Sequence, residues 1–168
     1  MPYRYGMAPP VRSIMAMNPT QGGEMVLLWR DDMSVGQADI DGDHRQLVAL
    51  VNEFEAIARR LPEDRALHVA LAGLRDAAAY HFSREEAILE ACLCPDRDVH
   101  RQEHRALLDE IDAMIRRYFV ERSERISKAS LGGAAEFLRR WLIDHVIRRD
   151  LRISEHLDKL PAGFRLPD

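Results

Sequence analysis

From Asp43 onward the chain repeats one pattern, apolar residues spaced by threes and fours with polar residues between them. Leu47, Val51, Phe54 and Ala58 form such a stripe over Asp43–Leu61, the period of one face of an α-helix. Pro62 stops this segment and can open the next one at its first turn. Over Glu63–Ala91 the stripe is most regular. Leu67, Leu71, Leu74, Ala78, His81, Glu85, Ile88 and Cys92 alternate steps of four and three, the seam of a bundle helix. Cys94-Pro95-Asp96 breaks the chain, because proline is poorly tolerated inside a helix. A third segment, Asp98–Val120, carries His100, His104, Leu107, Ile111, Met114 and Tyr118 on one stripe. Glu121–Ser130 is polar and reads as a connection. The fourth segment, Leu131–Leu157, places Leu138, Trp141, Leu142, His145 and Ile153 near one face.

Strand signals are absent, so the expected class is all-α. Four long helices with short links favour an up-down-up-down antiparallel four-helix bundle. The bundle is expected over residues 26–160, with Val26–Ile40 as an ordered loop leading into the first helix. A flexible N-terminal extension covers 1–25 and a C-terminal tail covers 161–168. The 168 residues suffice for one domain with a real core. Apolar residues make up 46% and charged residues 31%, the balance of a globular chain. A net charge of -4 gives no electrostatic case for nucleic acid or an anionic membrane as partner. No apolar run approaches the roughly 20 residues of a membrane span, and no signal peptide is evident. A monomer in the cytoplasm is the expectation. Cys92 and Cys94 are too few and too close for a disulfide framework and one residue short of Cys-x-x-Cys. They read as a buried thiol and a turn thiol without an assigned role.

The anomaly lies in the stripes themselves. His44, His81, Glu85, His100, His104, His145 and Asp150 fall on inward faces drawn from all four helices. Residues four apart lie within about 40° of each other one turn along, so His81 with Glu85 and His100 with His104 can each reach a common point. His145 and Asp150 are five apart, which asks for a bridging carboxylate or a local widening of the helix. A single inward histidine is ordinarily a hydrogen-bonded core residue. Seven such groups together would each cost several kcal/mol, about 2–7, if left unpaired. Metal satisfies them: imidazole suits iron, copper, nickel and zinc, and carboxylates can bridge two ions. Seven donors exceed the four that a tetrahedral zinc takes and suit two adjacent ions. No Glu-x-x-His motif is present, which separates the chain from the ferritin-like di-iron bundles. His68 turns away from the His81 face and His156 lies about 16 Å along the helix from His145, so neither is counted as a ligand.

These residues carry a family resemblance. W-R-D-D-M-S-V-G-Q-A-D-I-D-G-D-H-R-Q-L (Trp29–Leu47), H-F-S-R-E-E (His81–Glu86), H-R-Q-E-H (His100–His104) and W-L-I-D-H-V-I-R-R-D (Trp141–Asp150) resemble the bacterial hemerythrins. The likeness implies a non-haem di-iron centre that binds dioxygen reversibly. It implies that His100, His104 and His145 hold one iron and His44 and His81 the other. Glu85, Asp150 and a solvent-derived oxygen would bridge them, and the two-histidine iron would keep an open position for dioxygen. Phe82, Trp141 and Leu142 are the candidates to wall the oxygen pocket. Leu89 and Cys94-Pro95 depart from residues common in the family at those positions, near the turn rather than in the ligand set. A di-iron enzyme reducing peroxide or nitric oxide, and a metal-binding module holding iron or zinc, are the alternatives.

Overall fold

A computed structural model describes residues 15–18, 24–60 and 63–167. Most of the expected extension over 1–25, and the helix stop at Leu61-Pro62, lie outside the described residues. The bundle is built from α1 (Ala38–Arg59), α2 (Asp64–Ala91), α3 (Arg97–Ile115) and α4 (Lys128–Trp141). α1 packs against α2 and α4, and α2 against α3.

α1 begins five residues before the expected Asp43. The Gln37 side chain accepts the Ile40 N–H at 2.8 Å and caps the first turn. One turn further on, the Asp41 carboxylate accepts from the Val35 N–H at 2.8 Å and the Ser34 hydroxyl at 2.5 Å, tying the incoming loop to the helix. Glutamine is not a favoured cap and Gly42 weakens the local helix propensity, so the pattern alone places the start too late. Gly36 supplies the left-handed turn ahead of the helix, with φ of +85°.

One feature goes against the expectation of no strands. β1 (Met15–Asn18) pairs antiparallel with β2 (Glu24–Leu27), with Met15 opposite Leu27. Two-stranded ribbons are marginal alone. This one is anchored, because the Asn52 side chain both accepts from the Leu27 N–H at 2.9 Å and donates to its carbonyl at 2.8 Å. The pairing follows from a tertiary contact rather than from a local pattern.

α2 ends at Cys92, and Leu93 takes the left-handed conformation (φ 51°) that lets the Cys94 N–H reach back to the Leu89 carbonyl. Both cysteines are buried and free, and burial pushes the Cys94 thiol up to about 11. They behave as packing residues. α4 starts at Ser127, whose side chain and that of Ser130 cap each other's backbone N–H groups. Neither α3 nor α4 ends as a plain α-helix. α3 continues through a π-helical turn, Arg116–Val120. α4 continues as a π-helix over Leu142–Arg149 and then a 3-10 helix over Asp150–Lys159.

The apolar interior divides in two. The larger cluster includes Leu47, Val51, Phe54, Leu67, Leu71, Leu74, Ile111, Leu138 and Val146. The smaller gathers Val35, Ile40, Ile88, Leu89, Cys92, Cys94 and Ile153, with Phe164 and Leu166 of the tail folded onto it. Along α2 the larger cluster ends at Phe82 and the smaller starts at Ile88. Glu85 stands in the gap.

Candidate metal centre

The gap is filled by polar side chains, and the structure brings all seven candidate residues into it. His44 comes from α1, His81 and Glu85 from α2, His100 and His104 from α3, and His145 and Asp150 from the continuation of α4. None is more than 7% exposed. The π-helix explains how residues five apart share one face. The Asp150 N–H donates to the carbonyl of His145, five residues back, so the turn is widened by one residue and both side chains point inward.

Nitrogen and oxygen atoms converge closely. His104 Nε2 is 3.0 Å from Glu85 Oε2, and His100 Nε2 is 3.1 Å from Asp150 Oδ1 and 3.5 Å from Glu85 Oε2. His145 Nε2 lies 3.5 Å from Asp150 Oδ1 and His44 Nε2 3.5 Å from Asp150 Oδ2. His81 Nε2 lies 3.6 Å from Asp150 Oδ2 and 3.8 Å from Glu85 Oε2. The donors form two sets, Glu85 with His100, His104, His145 and Asp150, and His44 with His81 and Asp150. Asp150 belongs to both. Within each set all donor atoms lie within 4.8 Å of one another.

Despite this crowding, both ring nitrogens of His44 and His81, both oxygens of Glu85, Nε2 of His104 and His145, and Oδ2 of Asp150 make no hydrogen bond. So many buried, unbonded polar atoms are a severe penalty unless a cation takes their lone pairs. Donors about 2.1 Å from one ion stand about 3 Å apart at neighbouring positions, the lower end of the separations found here. The residues fit metal.

Electrostatics agree. Burial holds His44, His104 and His145 below the ordinary histidine range, His104 down to about 2, so these rings are neutral and offer a lone pair. His81 is raised, since the carboxylates of Asp150 and Asp43 outweigh its burial. Burial would also raise Asp150, but the surrounding histidines, His145 foremost, hold it well below the usual range. Glu85 is raised well above it by burial and by Asp150. Two carboxylates this close in a dry core need positive charge between them.

A second layer was not anticipated from the sequence. His104 Nδ1 is 2.8 Å from Glu86 Oε1, His145 Nδ1 3.8 Å from Glu103 Oε2, and His81 Nδ1 3.9 Å from Asp43 Oδ2. Each acid is held in turn by an arginine: Glu86 by Arg101 at 3.3 Å, Glu103 by Arg149 at 3.0 Å, Asp43 by Arg84 at 2.8 Å. The acid on one helix thus faces the histidine on the next, from α1 through to the continuation of α4. Carboxylates behind metal-binding imidazoles fix ring orientation and raise basicity. The available signal was adjacency, since Asp43, Glu86 and Glu103 each neighbour a candidate ligand in sequence.

Phe82 stacks on His104 with ring centres 3.9 Å apart and meets His81, His145 and Trp141 at 5.5, 5.8 and 6.2 Å. Leu142 is fully buried in the larger cluster. Trp29, which the sequence did not single out, packs 6.0 Å from the His44 ring with the Arg45 guanidinium over it. His68 is exposed and stacks on Phe119, and His156 belongs to neither donor set.

Comparison with known proteins gives the same answer. The family model described as "Hemerythrin HHE cation binding domain" matches residues 35–154. A bacteriohemerythrin of Clostridium acetobutylicum is 22% identical over 137 residues, covering 79% of this chain and all of that protein. One from Stenotrophomonas maltophilia is 25% identical, covering 72% of this chain and 74% of its own. A hemerythrin-like protein of Naegleria gruberi is 24% identical, covering 74% and 87%. With the bundle, the donor cluster and a family match over most of its length, the chain belongs to the hemerythrin family.

Proposed function

We propose that the chain binds dioxygen reversibly at a di-iron centre, for storage, delivery or sensing. The observation that carries this is the donor set: five buried imidazoles and two carboxylates in two groups sharing Asp150, enclosed between two apolar clusters. In this reading His100, His104 and His145 hold one iron, His44 and His81 the other, and Glu85 and Asp150 bridge them. When bound, the iron pair would supply two electrons to dioxygen and take them back on release.

The rest falls to the protein. Neutral imidazoles and two carboxylates leave a diferrous pair with little excess charge in the core. Phe82, packed against three of the histidines, and Trp141 beside it keep water away from the donors, which restrains proton leakage. Leu142 is buried in the same apolar cluster as Phe82 and Trp141. Glu86, Glu103 and Asp43 keep the rings in one orientation, so binding and release require little rearrangement. Among the described residues no helix is long and apolar enough to cross a membrane. A cytoplasmic monomer fits this reading.

The test is optical. Protein loaded anaerobically with ferrous iron should develop a visible band in air that disappears on removing oxygen, over repeated cycles. Irreversible oxidation at the first exposure would contradict a carrier. Steady consumption of peroxide with a reductant would favour the enzymatic alternative.

A further inference from the structure

The metal centre is closed on most sides. Five of the seven donor side chains are at most 1% exposed, and only His100 and His145 exceed this, at 3% and 7%. Each of these two lines a surface cavity. His145 borders one of about 380 Å³ together with Glu103, Leu107, Trp141 and Asp144. His100 borders one of about 230 Å³ together with Pro95, Asp96 and His156. Arg149 lines both cavities. Its guanidinium reaches Glu103 Oε2 at 3.0 Å and Asp96 Oδ2 at 2.9 Å, so one side chain bridges from one opening to the other. It is also the last residue of the π-helix, directly before Asp150.

We propose that Arg149 is the gate through which metal reaches and leaves the centre. This rests on the metal-binding reading above. In the closed position the guanidinium stands across these two openings, each of which touches a donor residue, and holds a carboxylate at each, so that neither is free to take a divalent cation. When the side chain swings out, the two openings join. Asp96 and Glu103, relieved of the guanidinium, then present carboxylates to a cation at the mouth. Glu103 already lies 3.8 Å from His145 Nδ1, so an ion taken up by its carboxylate stands next to a donor ring. Elsewhere Trp29 packs beside His44 with the Arg45 guanidinium over the indole ring, and the Arg84–Asp43 pair backs His81.

The experiment follows metal rather than oxygen. Full-length protein is loaded with ferrous iron under argon, and transfer of iron to a coloured ferrous chelator is timed. Arg149→Gln should release iron about tenfold faster than wild type, a lowering of the barrier by about 1.4 kcal/mol. It should also load about tenfold faster, a change that loss of the brace behind His145 alone would not produce. Arg149→Lys, which keeps the charge, should stay near the wild-type rate. Asp96→Asn, at a half-exposed position, should give a smaller acceleration and serves if Arg149→Gln does not fold. Arg75→Gln removes a comparable inter-helix ion pair, to Asp112, that lines neither cavity, and should release at the wild-type rate. Wild-type release from Arg149→Gln would overturn the gate, as would equal acceleration by Arg75→Gln, and either result leaves the metal site standing. A wild-type protein that takes up no iron would remove both.

Discussion

The π-helix between Leu142 and Arg149 makes a prediction that runs against ordinary experience with helices, in which insertions and deletions are equally disruptive. In a regular α-helix, five residues advance about 500°, which would leave Asp150 about 140° round from His145 and pointing away from the site. Four residues advance about 400°, only about 40° beyond a full turn. The widened turn absorbs one extra residue, and the Asp150 N–H to His145 carbonyl bond is its signature. Deleting Arg148, an exposed residue, should let the segment close into an α-helix while Asp150 keeps its inward direction. The loss on the surface is an ion pair with Asp144, worth about 0–1 kcal/mol. Inserting one alanine after Arg148 should instead turn Asp150 and Ile153 away by about 100°. Exposing Ile153, now 2% exposed, would cost about 2 kcal/mol, and both donor sets would lose the carboxylate they share. Iron per chain, measured after anaerobic loading and desalting, should be two for the deletion and at most one for the insertion. A folded deletion variant that loses iron while the insertion retains two would refute this account of the π-helix.

Other expectations follow from the same geometry. Glu85→Ala removes a buried carboxylate that lies within 3.8 Å of histidines in both donor sets, so iron content should fall below two, and unchanged loading by elemental analysis would count against the site. His68→Ala, at a surface ring stacked on Phe119, should leave iron content and the optical spectrum as they were. In metal-free protein, burial keeps His104 neutral in the fold and holds His44 and His145 below the ordinary histidine range, so each binds fewer protons folded than unfolded once pH drops below about 6.5, and their stabilisation, present above pH 6.5, is lost as pH falls. Glu85, raised, gains stability in the same direction and offsets one of them. Stability should therefore fall between pH 6.5 and 5, and a urea midpoint that rises over that interval would be the wrong sign. Asp150, held low, adds a further loss only below its ordinary value of 3.8. Glu55→Ala removes the buried carboxylate that Arg139 and Arg59 both engage and should cost about 3 kcal/mol in urea unfolding.

The helices were legible because each carries a long stripe of period three to four, and the donors because they interrupt those stripes. His81 and Glu85 stand out only against Leu67, Leu71 and Leu74. Boundaries set by single side chains were not legible in the same way. The Gln37 cap, the Asn52 anchor that holds β2 and the Leu93 turn each depend on where a neighbouring element comes to rest. The braces behind the histidines were invisible for a related reason. Asp43, Glu86 and Glu103 sit at positions that read as helix surface, and each finds its histidine on another helix. The five-residue spacing of His145 and Asp150 did signal a widened helix, since no regular turn brings both inward.

Elemental analysis of protein grown with ample iron tests the central claim most directly. Two irons per chain in a folded, helical protein is the predicted result, falling to at most one when His44 and His81 are both replaced by alanine. A folded protein free of iron, or holding a single zinc, would contradict it.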